Sequence, residues 1–382
     1  MGESNSKLWL AVGGVSATGA IIAVMIAGKI LAPKVLGPLP AKMKRLLVVE
    51  PSDDLAKVVL EVREVDMPKP QAGQVLVKMA AAPMNPSDYN FLRAKGNNVE
   101  YPAEWGNEGS GTVVATGGGP LGVSLLGKKV AIMGSRVGTF GQYAVCSAMT
   151  TFKLPEEMPA KDGCGFTVNP WTAIAIAETS TKHGGVLINT AGASALGKML
   201  VTLCIKRKLT LINIVRSEEQ AQLLRKMGAT HVLVSPKVIT LEDSIEKEKF
   251  SKALKDLIQK TKCKCAFDCI GGYMTGLLLS LVPYGGTVYV YGRMADEPVG
   301  GLGALDLIYR NKQVKGLFLG NFIRDLGFLG VLKTSKQVSS LLTTDFKTQF
   351  ADYSMEDATK KIKEMAGEGR SLTNAKARIV FE

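Results

Sequence analysis

An arginine closing one apolar run and a small-residue turn closing another are the positions of this 382-residue chain best suited to hold a cofactor. The first run, Val186-Leu187-Ile188-Asn189, leads into Thr190-Ala191-Gly192-Ala193-Ser194-Ala195-Leu196-Gly197, and a helical pattern follows. The second run, Leu209 to Val215, ends on Arg216, about twenty residues beyond the turn. A strand–turn–helix of this kind presents free N–H groups and a helix dipole to a pyrophosphate. Gly192 permits the turn, Ser194 offers a hydroxyl to phosphate, and Ala195 and Gly197 keep the backbone open to ligand and sheet. An acidic residue at position 216 would bind the ribose 2′-hydroxyl of NAD, whereas arginine accommodates the 2′-phosphate of NADP. The pattern predicts NADPH as cofactor and reduction as the direction. The rival reading is a turn that needs small residues only for packing, followed by a solvated arginine; the register of the two favours the cofactor.

A second loop, Tyr291-Gly292-Arg293-Met294, follows the strand pattern Thr287 to Val290. In an open α/β sheet, ligands bind beyond the carboxyl ends of the strands, so this loop is expected at the same crevice. Cys263, Cys265 and Cys269 suggest a metal cluster at first sight, but they lie on an apolar strand pattern and read better as buried thiols. His183 and His231 are the only histidines and stand far apart, so no metal site is expected.

The elements that must position these residues change character along the chain. Leu8 to Gly28 holds no charged residue and is long enough to span a bilayer as one helix. Residues 1–42 are therefore expected to form a transmembrane anchor, spanning about 8–28, with a Pro-rich linker. The basic residues after it place the larger part on the cytoplasmic or matrix side. Short strand patterns between glycines, from Val75–Met79 to Gly141–Val145, predict a β-rich domain over 43–163. Strand–helix alternation then predicts a doubly wound parallel sheet of the Rossmann type over 164–316. Its strands are expected at Val186–Asn189, Leu209–Val215, His231–Ser235, Cys265–Cys269 and Thr287–Tyr291, with a helix from Ser217 to Gly228. Residues 317–382 are expected to return to the β-rich domain through a helix and a last strand, Ala377–Phe381. The net charge of +13 comes from scattered lysines with no compact arginine block, which argues against nucleic acid as partner.

Several ordered motifs carry a family resemblance from about Met43 to Glu382. They are Ala81-Ala82-Pro83-Met84-Asn85-Pro86-Ser87-Asp88, Gly106-Asn107-Glu108-Gly109, Val168-Asn169-Pro170-Trp171-Thr172-Ala173, Cys269-Ile270-Gly271-Gly272 and Tyr291-Gly292-Arg293-Met294-Ala295. With them the chain resembles the zinc-free branch of the medium-chain dehydrogenase/reductase superfamily, and within it the mitochondrial trans-2-enoyl-thioester reductases. The resemblance implies a GroES-like catalytic domain around a Rossmann domain. It implies NADPH contacts at Asn169, Ala193 to Leu196, Arg216, Ser217, Tyr291, Gly292, Met294, Leu317 to Leu319 and Lys376. Asn107 stands where zinc-dependent relatives carry histidine. Homodimers are common among zinc-free relatives, and a mitochondrial inner membrane placement follows from the resemblance alone.

One departure touches catalysis. The family's tyrosine acid is expected in the turn Lys95-Gly96-Asn97-Asn98, where Asn98 occupies its place. Asn98 can hydrogen-bond a carbonyl but cannot supply a proton, so Tyr101 and Tyr89 are the remaining candidates. The expected function is reduction of an enoyl thioester by NADPH. Two alternatives stand beside it: quinone or enone reduction, and an accessory subunit of a membrane complex that keeps the cofactor fold without turnover.

Overall fold

The computed structural model describes residues 31–93, 99–134, 138–237, 239–240, 242, 244–367 and 375–381. The expected span at 8–28 and Asn98 lie outside them. Among the described residues no helix is long and apolar enough to cross a membrane.

Among the described residues the first strands are β1 (Lys34–Val35), in the stretch expected to be linker, and a hairpin of β2 (Lys42–Glu50) and β3 (Val59–Asp66). It continues through β4 (Gln74–Pro83), β5 (Glu108–Thr116), the short α1 (Pro120–Leu125), β6 (Lys129–Met133), β7 (Tyr143–Ser147) and β8 (Thr151–Lys153). β4 and β5 pair antiparallel at close quarters: a Cβ at Gly111 would lie 2.0 Å from the Lys78 carbonyl oxygen, so only glycine fits.

α2 (Val168–Thr181) opens the second domain. β9 (Val186–Asn189), α3 (Ala195–Arg207), β10 (Thr210–Val215), α4 (Glu218–Lys226), β11 (His231–Val234) and α5 (Ile245–Thr261) follow. Next come β12 (Cys265–Asp268), α6 (Gly272–Leu281), β13 (Thr287–Val290), α7 (Ala304–Ile308) and β14 (Gln313–Gly316). These strands form one parallel sheet in the order β11-β10-β9-β12-β13-β14. β10 and β12 are buried along almost their whole length because helices cover both faces of a parallel sheet. Serine begins α3, α4 and α5: Ser194, Ser217 and Ser244 each accept a hydrogen bond from the N–H three residues on.

The expected return at 317 is corrected by the structure. β14 is the sixth strand of the parallel sheet, and α8 (Leu319–Thr344) still belongs to that domain. Val338, Leu341 and Phe346 share a core with Trp171 and Leu200, because helical spacing puts Val338 and Leu341 on one face. The chain crosses back only at β15 (Phe350–Tyr353), followed by α9 (Met355–Gly367) and β16 (Lys376–Val380). β16 inserts between β15 and β4 and completes an eight-stranded sheet ordered β15-β16-β4-β5-β6-β8, with β1 on β5 and β7 on β4.

Candidate functional site

The parallel sheet reverses its winding at β9 and β12, and the crevice beyond their carboxyl ends is the site this topology offers a ligand. Thr190 to Ser194 leave β9 there, Arg216 leaves β10, Cys269 leaves β12, Tyr291 and Gly292 leave β13, and Leu317 and Phe318 leave β14. The sequence therefore names residues from five strands that the fold brings to one edge.

The turn after β9 is drawn tightly onto its neighbours. The Gly192 N–H donates to the Ile214 carbonyl at 2.9 Å, and Ala191 takes a left-handed φ of 50°. A Cβ at Gly197 would lie 2.2 Å from the Gly192 carbonyl oxygen, and one at Gly192 would lie 2.8 Å from Asn213 Oδ1. Glycine at both positions lets helix, turn and sheet close up and keeps a bare backbone cradle. Asn213 beneath it is wholly buried, and neither of its amide atoms has a partner. Such atoms are costly to bury unpaired, so a cradle above them is suited to a polar ligand. The residues present fit the pyrophosphate of a dinucleotide. We expect Gly197→Ala to destabilise the fold by about 1–3 kcal/mol through this backbone clash; chemical denaturation measures it, and an unchanged midpoint refutes the close packing.

Ser194 caps α3, accepting from Gly197 N–H at 3.0 Å, and its own hydroxyl proton remains for a ligand. Arg216 is exposed beyond β10, and its backbone N–H donates to Gln220 Oε1 at 3.1 Å. Ser217 caps α4.

A buried polar network underlies the crevice. Asp268 Oδ1 accepts from Thr190 Oγ1 at 2.9 Å and Ile270 N–H at 2.9 Å; Oδ2 accepts from Thr275 Oγ1 at 2.7 Å and Gly271 N–H at 3.2 Å. Burial raises the Asp268 carboxyl above its ordinary range, and these donors oppose the shift. Tyr291 donates to Asn189 Oδ1 at 2.8 Å, and Asn189 Nδ2 is a further buried donor without a partner. Met294 lies by Cys269, the two sulfurs 3.6 Å apart.

Across the crevice stands a cluster whose role sequence reasoning missed, although Asn85, Asp88, Asn107 and Glu108 lie within motifs quoted above. Glu108 is fully buried at the start of β5. Its Oε1 accepts from Asn85 Nδ2 at 2.8 Å and lies 3.4 Å from Lys376 Nζ. Its Oε2 accepts from Thr167 Oγ1 at 2.7 Å and from the Thr167 and Val168 N–H groups at 3.2 and 2.8 Å. One carboxylate thus ties the β-rich sheet, the entry to α2 and the last strand together. Lys376, expected at the cofactor, also donates to Asn85 Oδ1 at 2.7 Å. Asn169 is half-buried in the first turn of α2, next to Val168. A second tie joins the domains: Arg93 pairs with Asp296 at 2.5 Å.

Asp88 completes the cluster, accepting from Asn85 N–H at 2.7 Å, Asn107 Nδ2 at 2.7 Å and Asn107 N–H at 3.1 Å. Burial, reinforced by Glu108, pushes its carboxyl up to about 7 from 3.8, against the pull of those donors and Lys376. A carboxyl whose folded-state pKa is raised holds its proton more tightly when folded, so its contribution to stability falls as pH rises from about 4 towards 7. Asp88→Asn is expected to flatten the pH dependence of unfolding in that window, and an unchanged slope rules the contribution out.

The catalytic candidates lie on the β-rich side. Tyr89 sits in the short 3₁₀ turn Asp88–Phe91 and is buried in that domain's core. Tyr101 packs at the core's margin and donates its hydroxyl to the Phe91 carbonyl at 3.1 Å. Trp105 is an ordinary core aromatic, edge-on to Phe140 and donating to Leu46 O. The thiols of Cys263, Cys265 and Cys269 are all buried, and burial pushes each well above the usual thiol range. Among the described residues, no three His, Cys, Asp or Glu side chains gather to hold a metal ion.

Comparison with known proteins agrees with this architecture. Residues 71–156 match the alcohol dehydrogenase GroES-like domain, and residues 195–329 match the zinc-binding dehydrogenase domain. The human mitochondrial enoyl-[acyl-carrier-protein] reductase is 31% identical over 293 residues, covering 75% of each chain. The crystal structure of a Mesorhizobium loti protein assigned as an NADPH:quinone reductase superposes with a TM-score of 0.78 at 25% identity, over 90% of this chain and all of that one. A mycobacterial protein solved with NADPH has the same fold, with a TM-score of 0.72 at 19% identity over 89% of this chain and all of that one. The chain belongs to the medium-chain dehydrogenase/reductase superfamily.

Proposed function

We propose that the protein is an NADPH-dependent reductase of trans-2-enoyl thioesters. The observation that carries the cofactor in this reading is Arg216 at the end of β10, beside the bare Gly192 turn of β9. The relatives named mitochondrial enoyl-[acyl-carrier-protein] reductase support the substrate class and a mitochondrial placement. NADPH, when bound, supplies the hydride. The protein's own residues do the rest. Arg216 and Ser217 hold the 2′-phosphate, Gly192 to Leu196 cradle the pyrophosphate, and Asn169, Tyr291, Gly292, Met294, Phe318 and Lys376 frame the reacting end. Reduction of an enoyl thioester leaves charge on its carbonyl oxygen and needs a proton at the α-carbon. Tyr101 is our choice of donor over Tyr89, which lies in the core, and over Asn98, which has no acidic proton. Its hydroxyl proton must then leave the Phe91 carbonyl to reach substrate.

Quinone or enone reduction is the second reading, supported by the Mesorhizobium loti relative. It depends less on a positioned acid. The accessory-subunit reading draws no support from relatives that bear enzyme names. The charge-free run Leu8 to Gly28 is proposed as a membrane anchor on its length alone; extraction of the full chain from membranes by alkaline carbonate would refute it.

The deciding experiment is NADPH oxidation by the full chain with crotonyl-CoA or a short quinone. Turnover of roughly 1 s⁻¹ or more with the thioester supports the first reading, and turnover with the quinone alone supports the second. No turnover with either, from protein that binds NADPH, overturns both.

A further inference from the structure

The helix that follows the last strand of the parallel sheet is apolar on the side that should be polar. α8 is interrupted at Gly327, whose φ of 62° and ψ of 179° break the helical path. Phe322, Ile323, Leu326 and Val331 turn inward and pack on the domain core. Phe328, Leu329 and Leu332 turn outward and are 61%, 79% and 45% exposed, with Phe318 before the helix at 66%. Single exposed apolar side chains are ordinary, but Phe328, Leu329 and Leu332 lie within two turns of one helix. The same segment carries exposed Arg324, Lys333 and Lys336; Arg324 pairs with Asp325, the one acid in 324–336, at 3.5 Å, so the net positive charge comes from the two lysines.

We propose that this patch docks on an anionic lipid surface. Apolar side chains at the centre with cations at the margin are the composition of a segment that lies in a bilayer interface: the apolar groups enter the acyl boundary and the cations meet headgroup phosphates. The chain's charge of +13 favours the same partner. Location gives the contact a purpose. Phe318 leaves the carboxyl end of β14, the same edge of the sheet as the Gly192 turn, so the segment leading into the patch starts at the cofactor crevice. An apolar substrate dissolved in the membrane then reaches the crevice without crossing water. Only this last consequence rests on the reductase reading; the lipid contact itself is measured without turnover, so either can fail alone.

The test uses the full chain bearing Leu329→Cys labelled with an environment-sensitive fluorophore. All six native cysteines are buried, so the label reports position 329. Lys260→Cys, exposed in the last turn of α5 at the opposite edge of the sheet, is the control. Phosphatidylcholine–phosphatidylglycerol vesicles are expected to blue-shift the label at 329 and expose it to quenching by nitroxide lipids, with no change at 260. Three results overturn the proposal. One is an unchanged label at 329, and another is an equal shift in pure phosphatidylcholine. The third is a shift without vesicles that grows with protein concentration, which would assign the patch to a second copy of the chain.

Discussion

Arg216→Ala weakens NADPH binding by roughly 10–150-fold and leaves NADH binding unchanged. The magnitude is that of one hydrogen bond to a charged group, about 1.5–3 kcal/mol, at about 1.4 kcal/mol per tenfold. The side chain stands exposed beyond β10 and caps nothing, so its removal leaves the sheet intact. The loss therefore falls on the one cofactor that has a phosphate at this point. Titration of each cofactor against the variant, followed by nicotinamide fluorescence, gives the two dissociation constants. Equal weakening of NADPH and NADH would assign Arg216 to the turn's architecture, and no weakening of either would remove it from the site. Arg216→Lys keeps the charge but loses the planar fork, so it is expected to fall between the two.

Glu108→Ala costs about 3–5 kcal/mol of folding stability, the range for removing one partner of a buried charge pair. The alanine leaves Lys376, itself mostly buried, without its carboxylate. It also strips acceptors from the Asn85 amide and from the Thr167 and Val168 N–H groups. Against the 5–15 kcal/mol that holds a typical protein folded, that is a large share. Denaturant unfolding measures it. Glu108→Gln separates charge from shape, since the amide retains one acceptor oxygen and removes the charge facing Lys376. A cost for alanine below about 1 kcal/mol would show that the two domains and the last strand hold together without this carboxylate.

How much of this was legible in sequence depends on the range of the interactions. Five of the six strands of the parallel sheet were, because each is a short apolar run between turn residues; β14 was not among those expected. β9 falls where expected, and β10, β11, β12 and β13 differ by one terminal residue. The Gly192 turn and Arg216 were legible for the same reason: both are local signals placed by adjacent strands. The point where the chain recrosses was not. Residues 319–344 are apolar on two sides, so their pattern does not say which domain they cover; Val338 and Leu341 decide it only through contact with Trp171 and its neighbours. Glu108 was hidden by distance. Its partners lie 23, 59 and 268 residues away in sequence, and a lone glutamate in a strand gives no local sign of burial. The tyrosines were hidden by a turn: the 3₁₀ segment Asp88–Phe91 takes Tyr89 into the core, which residue type alone cannot reveal.

The position of β16 sets an order of events during synthesis. The strand belongs beside β4, yet the ribosome makes it only after the entire parallel domain. Until then the Ala81–Pro83 end of β4 lacks its partner strand, and Asn85 and Glu108 lack Lys376. The parallel domain is continuous in sequence and can fold as it emerges, whereas the sheet that precedes it must wait. An unfinished sheet edge is where chains pair wrongly with one another. Chaperone dependence is therefore expected to belong to the first domain made, and to end when the last strand is released.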